Sequence, residues 1–388
     1  MSTSLIEPAP PDKRIAVKRY FYLALVFGTL FVLSVDCKHS DESTSHDDAF
    51  TKDDLLVIQG ADVKHTFVNA TLDEPIENGR NAVWCGTFQL AWNETCALLG
   101  EDLHFDLEPP MVAALNKQAL KKDYLDPACY IALAGYVKDG IHQKILQFLQ
   151  NKFGGAARPQ HLPPESLTPR SQDIVAYAYL FKNLEFPAPF ERLSQALHFG
   201  YRLVPAFGMH EPKRSHEQMA AQTLILDYNG PDDFVIELKT KSPGDRLIMA
   251  KVQPKTSLAG TVDAVKSRCS SAKPQTCLPE DELAVPKLNF DIFRQYNEIE
   301  GKRLIFRNPT IAGDLQVQSA MQDIRFQMDE KGVRLKSESH VTLACAQIPL
   351  PSHVMIFDKP FLILLERVDT QTPYFVMWIA NPELFVSR

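Results

Sequence analysis

The sequence contains no glycine-rich phosphate loop, no Gly-x-Ser-x-Gly elbow and no His-Glu-x-x-His pair, since His216-Glu217 is followed by Gln218-Met219-Ala220. These absences remove phosphate-cradling, α/β-hydrolase and zinc-protease chemistry from the reading. Positive charge is not in excess either. Against 48 acidic residues stand 41 Lys and Arg, a net charge of −7, so no basic stripe serves a phosphate backbone and no nucleic-acid partner is expected. Seven cysteines in 388 residues are too few for a disulfide-built scaffold, and none forms a Cys-x-x-Cys pair. No cofactor or metal is implied, and no nucleophile motif points to an enzyme.

What is present is an average globular composition, 45% hydrophobic and 23% charged, enough to bury a sizeable core. The N-terminus sets the compartment. Lys13, Arg14, Lys18 and Arg19 precede Tyr20 to Val35, which carries no charge, and the acidic run from Asp36 to Asp48 follows. Basic residues before the segment and acidic ones after it keep the N-terminus inside and place the rest outside. Sixteen residues fall short of the ~20 that span a bilayer yet exceed the usual apolar region of a cleaved signal. An uncleaved anchor, cleavage near Val32 and Ser34, and lipidation of Cys37 therefore stay open, the last opposed by Asp36 where a small residue is needed. The expected organisation is a basic N-region (1–19), an anchor or signal (20–35), an acidic Ser/Thr-rich tether (36–55) and one domain from 56 to 388. The body is thus membrane-anchored and extracytoplasmic, or secreted after cleavage.

Apolar spacing predicts helices over Trp84–Leu99 and Ile141–Phe153. Strands are predicted at Ile131–Val137, Ile174–Phe181, Phe234–Leu238, Leu247–Val252, Leu304–Phe306, Ile324–Met328, Met355–Phe357, Phe361–Leu365 and Tyr374–Ile379. Mixed α+β is the class, with no doubly wound parallel sheet. Cys269 and Cys277 flank a polar stretch whose ends can approach, which predicts a local disulfide in an oxidising compartment. Cys85, at a helix start, reads as an activated thiol or as a buried structural one, and small thiols favour interiors. His210 and His216, beside Glu211 and Glu217, read as solvated loop residues more readily than as metal ligands.

The C-terminus carries a denser pattern. Phe357-Asp358-Lys359-Pro360-Phe361 and the apolar run after it, a Thr-rich turn, then Tyr374 to Ile379 and Asn381-Pro382 read as two buried strands with Pro at the entry and Asn-Pro at the exit. This resembles the closing hairpin of the serpin family. Ile324 to Gly332 resembles the serpin strand and hinge that lead into the reactive-centre loop, and about 24 residues separate Gly332 from Phe357, room for such a loop at ~3.3 Å per residue. Pro286 to Phe290, Ile174 to Phe190 with Pro163 to Thr168 before it, and Asn81 to Gly86 fall in the family's order, so the resemblance runs from about 80 to 388. It departs between Val137 and the helix at 141, where serpins place another helix and an edge strand.

The resemblance implies an α+β serpin-like fold with a large mixed β-sheet, a second smaller sheet and surrounding helices. It implies a five-stranded sheet that an inhibitory member opens to insert its cleaved loop, trapping a protease. Small hinge residues make insertion fast. Here the hinge residues Glu330, Gly332, Val333, Leu335 and Ser337 include a leucine, and Lys336 follows it where small side chains are usual. The candidate reactive centre is Leu343, Ala344, Cys345, Ala346 and Gln347, with no Lys or Arg for a trypsin-like enzyme. Sheet-opening positions have changed as well: Cys85-Gly86 stands for Ser-Pro, Tyr177 for an asparagine and Gln322 for a histidine. The expected function is a non-inhibitory binding scaffold with a protease-sensitive loop and an unidentified protein partner. The alternative is an inhibitor of serine or cysteine proteases.

Overall fold

A computed structural model describes residues 58–59, 63–154, 174–210, 213–307, 315–331 and 351–386. Strands β1 (Ile58–Gln59), β2 (Thr66–Asn69) and β3 (Asn81–Cys85) precede helices α1 (Thr87–Leu99) and α2 (Pro110–Leu115). Then come β4 (Tyr130–Tyr136), α3 (Ile141–Phe153), β5 (Ile174–Asn183), β6 (Glu191–Arg192), β7 (Leu197–Phe199), β8 (Arg202–Val204), β9 (Ala206–Met209) and α4 (Glu217–Ala221). The chain continues through β10 (Thr223–Gly230), β11 (Asp233–Leu238), β12 (Asp245–Lys251), α5 (Leu258–Ser271), β13 (Gln275–Thr276), β14 (Glu282–Pro286) and β15 (Leu288–Gln295). It ends with β16 (Val317–Met328), β17 (Val354–Ile356), β18 (Phe361–Arg367) and β19 (Pro373–Ile379).

These strands make a five-stranded mixed sheet (β1-β15-β16-β5-β4), an eight-stranded sheet (β13-β10-β11-β12-β18-β19-β3-β2), a four-stranded sheet (β17-β14-β9-β6) and the ribbon β7-β8. The α+β class holds, with a third sheet and a ribbon beyond the two sheets expected. The unbroken apolar runs of β18 and β19 suit central strands covered on both faces, and every residue from Phe361 to Leu365 is buried. Phe326 of β16 stacks on Phe375 of β19 with centroids 4.9 Å apart, joining the inner face of the five-stranded sheet to the eight-stranded one. On its other face lies α3. Ile141, Ile145, Leu149 and Phe153 recur every four residues, one stripe of a helix, and pack on Ile131, Val175, Tyr177 and Tyr179.

The Asn-Pro exit has a visible cause. Asn81 accepts from the Ala380 and Asn381 amides at 2.8 and 2.9 Å and donates to the Asn381 side-chain oxygen at 3.0 Å. Asn381 in turn donates to the His65 and Gly79 carbonyls, so both ends of the domain close on one amide pair.

Two sequence expectations need correction. Trp84 and Cys85 are strand, not helix, because they pair with Val376 and Phe375 of β19; tertiary pairing overrides the helical spacing, and α1 begins only after Gly86. Leu304–Phe306 forms no strand and contributes only an isolated bridge to Phe105. No helix among the described residues is long and apolar enough to cross a membrane; the segment 20–35 and the tether 36–55 lie outside those residues.

Candidate functional site

β16 and β5 are parallel neighbours, in register from Val317 opposite Ile174 to Gln327 opposite Asn183, with one bulge near Ser319. This ladder is the seam at which the serpin resemblance would place an inserting strand. Tyr177 sits opposite Met321, and its hydroxyl donates diagonally to Asp323 at 3.1 Å, beneath α3. Burial, reinforced by the Asp323 charge, pushes the Tyr177 phenol far up, so it remains a donor.

On the opposite face Gln322 is wholly buried with three bonds. Its amide donates to the Cys85 carbonyl at 2.9 Å and to Thr87 Oγ1 at 2.8 Å, and its oxygen accepts from Tyr296 at 2.8 Å. Tyr296 stacks on Phe88 of α1 with centroids 3.6 Å apart. The changed positions thus hold a different network rather than none. Gly86 belongs to it, since its N–H donates to the Tyr374 carbonyl at 2.9 Å, a bond proline has no hydrogen to make.

At the upper end of β16, Glu330 is buried and its carbonyl accepts from Phe190 N at 2.8 Å. Its carboxylate pairs with Lys287 at the β14–β15 junction. Burial pulls the Lys287 ammonium down and Glu330 opposes it. The chain returns at β17, which pairs with β14 from Glu282 opposite Val354 to Ala284 opposite Ile356. Of the expected loop residues only Glu330 is therefore placed; Gly332, Val333, Leu335, Ser337 and Leu343 through Gln347 lie outside the described residues.

Of the other candidates, the disulfide and the solvated His216 resolve differently from expectation, whereas Cys85 is the buried structural thiol favoured above. Cys269 and Cys277 are free thiols, not a disulfide. Cys269 belongs to the last turn of α5 rather than to a polar loop, and Cys277 is buried with its sulfur 3.5 Å from Asp281. Cys85 is not activated. Burial pushes its thiol up to about 11, against hydrogen bonding from Thr87, as a structural cysteine requires. His216 is buried rather than solvated, with Nε2 3.3 Å from Glu191, and His210 lies 2.7 Å from Glu282. Among the described residues no group of three His, Cys, Asp or Glu side chains could hold a metal. Sequence reading missed Lys287, Thr87, Tyr296 and Asp323. A lysine inside Val285-Pro286-Lys287-Leu288 was the available signal, because a cation in a buried strand needs a buried acid.

The serpin-like motifs now have places. The strand expected to lead into the loop is β16, the middle strand of the five-stranded sheet, between β15 and β5; the chain re-enters on the edge of the four-stranded sheet as β17, and the closing hairpin is β18–β19 in the interior of the eight-stranded sheet. These are the places the resemblance to the serpin family implies. Among solved structures the chain is similar to Serpin48 of the insect Tenebrio molitor, at 14% identity over 78% of this chain and 92% of that one, with a TM-score of 0.41. It is also similar to the mouse protein Z-dependent protease inhibitor, at 12% identity over 79% of this chain and 92% of that one, with a TM-score of 0.47. No family model matches the chain, and no curated protein matches it.

Proposed function

We propose that this is an extracytoplasmic serpin-like binding protein whose loop is cut by proteases without trapping them. The carrying observation is the seam: β5 and β16 are laddered along their length and cross-linked by Tyr177 and Asp323 under α3. Parting them breaks that bond as well as the ladder, while Leu335 and Lys336 must be accommodated between closely packed strands. Insertion then loses the race with deacylation. Partner binding is left to the exposed surface, and attachment through residues 20–35, with the body outside, follows from the charge flanks.

The inhibitor reading has one observation in its favour. Two parallel strands side by side, β5 and β16, are a site where a strand antiparallel to both can enter. A gel decides between the two. Incubation with serine and cysteine proteases is expected to yield nicked chain and no covalent complex; a band of protease plus protein stable in detergent overturns the proposal.

A further inference from the structure

The far side of β2, the outermost strand of the eight-stranded sheet, carries main-chain groups that no ladder takes up. It borders a cleft of about 550 Å³, the size of a small-ligand site, walled by β2, the chain from Glu74 to Ala82 and β15 with the turn after it. Side chains alternate along β2: Val68 enters the core, whereas Phe67 and Asn69 share the other face. Asn69 is nevertheless only 4% exposed, and its Nδ2 has no hydrogen-bond partner among the described residues. A buried carboxamide donor without an acceptor is what folding ordinarily avoids, and in the wall of a cleft an incoming acceptor corrects it.

The charges around the cleft are committed to one another. Arg80 lies over the Phe67 ring, 3.7 Å from its centroid, and pairs with Glu77 at 2.7 Å. Arg294 of β15 pairs with Glu298 and donates to the Val68 carbonyl, with Glu74 at 3.6 Å. Glu74 also accepts from the Ala70 and Thr71 amides, which fixes the turn after β2. A charged ligand has to break one of these pairs to find its own, so the cleft suits a neutral ligand rich in hydrogen-bonding groups. The Asn69 carboxamide carries donor and acceptor in one plane, the complement of a peptide group, and a strand edge beside it offers the same complement in main-chain form.

We propose that the cleft between β2 and β15 binds a short, uncharged stretch of extended peptide whose main chain runs along the free side of β2 and meets the Asn69 carboxamide. The site lies apart from the seam between β5 and β16, so the inference stands whether the loop of the proposed function is nicked or traps, and its test uses no protease. Equilibrium dialysis of the full chain in detergent micelles against an equimolar mixture of capped tetrapeptides of Ala, Val, Thr and Ser, at about 1 mM, is expected to retain a subset of them. The best-retained peptide is expected to bind N69L, which keeps the side-chain volume and removes the amide, about tenfold more weakly, the scale of lost hydrogen bonding in a buried site. Amide hydrogen exchange in the unmodified chain locates the peptide independently of any variant: protection is expected to rise in Thr66 to Thr71 and to stay unchanged in β5 and β16. Retention of none of the peptides overturns the proposal, as does equal binding to folded N69L or protection that rises along the seam instead of β2.

Discussion

Tyr177 and Asp323 bond across the junction of β5 and β16 at 3.1 Å, two residues out of direct register and beneath α3. A phenol held there acts as a staple, because opening the sheet separates donor from acceptor in a place without water. Tyr177→Phe removes the staple and keeps the packing. It is expected to cost about 1–3 kcal/mol in urea unfolding and to raise hydrogen exchange in β5 and β16 ahead of the other strands. Unchanged exchange along the seam would show that the bond does not restrain it.

Gln322 uses its amide three ways, toward Cys85, Thr87 and Tyr296. An imidazole has two nitrogens and cannot satisfy all three at once. Gln322→Ala is therefore expected to lose about 3 kcal/mol through three lost bonds and a small cavity. Gln322→His should fall between wild type and alanine in thermal unfolding. A histidine variant more stable than wild type would contradict this account of the network.

The Lys287–Glu330 pair predicts non-additivity. Either Lys287→Met or Glu330→Gln alone leaves one buried charge or polar group poorly matched and should cost about 3–5 kcal/mol. The double variant is expected to cost clearly less than the sum, as read from a double-mutant cycle in denaturant.

Asp245 predicts the acid limb of stability. Burial works against its ionisation, but Lys182 at 2.5 Å, with Ser242 and Tyr374 donating at 2.7 and 2.9 Å, holds its carboxyl below the usual range. A carboxyl depressed on folding stabilises the protein above its unfolded pKa, and that contribution disappears as pH falls through the folded value. Stability is expected to drop below about pH 4, the ordinary aspartate value. In Asp245→Asn the drop should be shallower and start from a lower plateau; an identical acid limb would remove Asp245 from the explanation.

Both thiols of the expected disulfide should alkylate after denaturation without reductant, with Cys269 ahead of Cys277 in the native state because Cys277 is buried against Asp281. Failure of both to react until reductant is added would restore the disulfide.

Much of the architecture was legible because its signals are local. The apolar spacing of Ile145, Phe148 and Leu149 predicted α3 with its observed bounds, although Phe148 itself is exposed, and the apolar runs from Phe361 and Tyr374 predicted β18 and β19. Where signals are non-local the reading failed. Trp84 and Cys85 carry helical spacing but are claimed by β19, more than 280 residues away in sequence. The Asn81–Asn381 closure and the Gln322 hub join residues whose partners no spacing reveals. The substitutions at Tyr177 and Gln322 were visible as departures from the resemblance, whereas the bonds that replace the lost ones depend on Asp323, Thr87 and Tyr296, each unremarkable alone.

Whether the seam stays shut once the segment after Gly332 is cut is read from the melting temperature before and after limited proteolysis between about Val341 and Ser352. Insertion adds a central strand and a large buried area, whereas a nick in an uninserted loop alters few buried groups. The nicked protein is expected to melt within a few degrees of the intact one when measured minutes after cleavage. A rise of tens of degrees would contradict it.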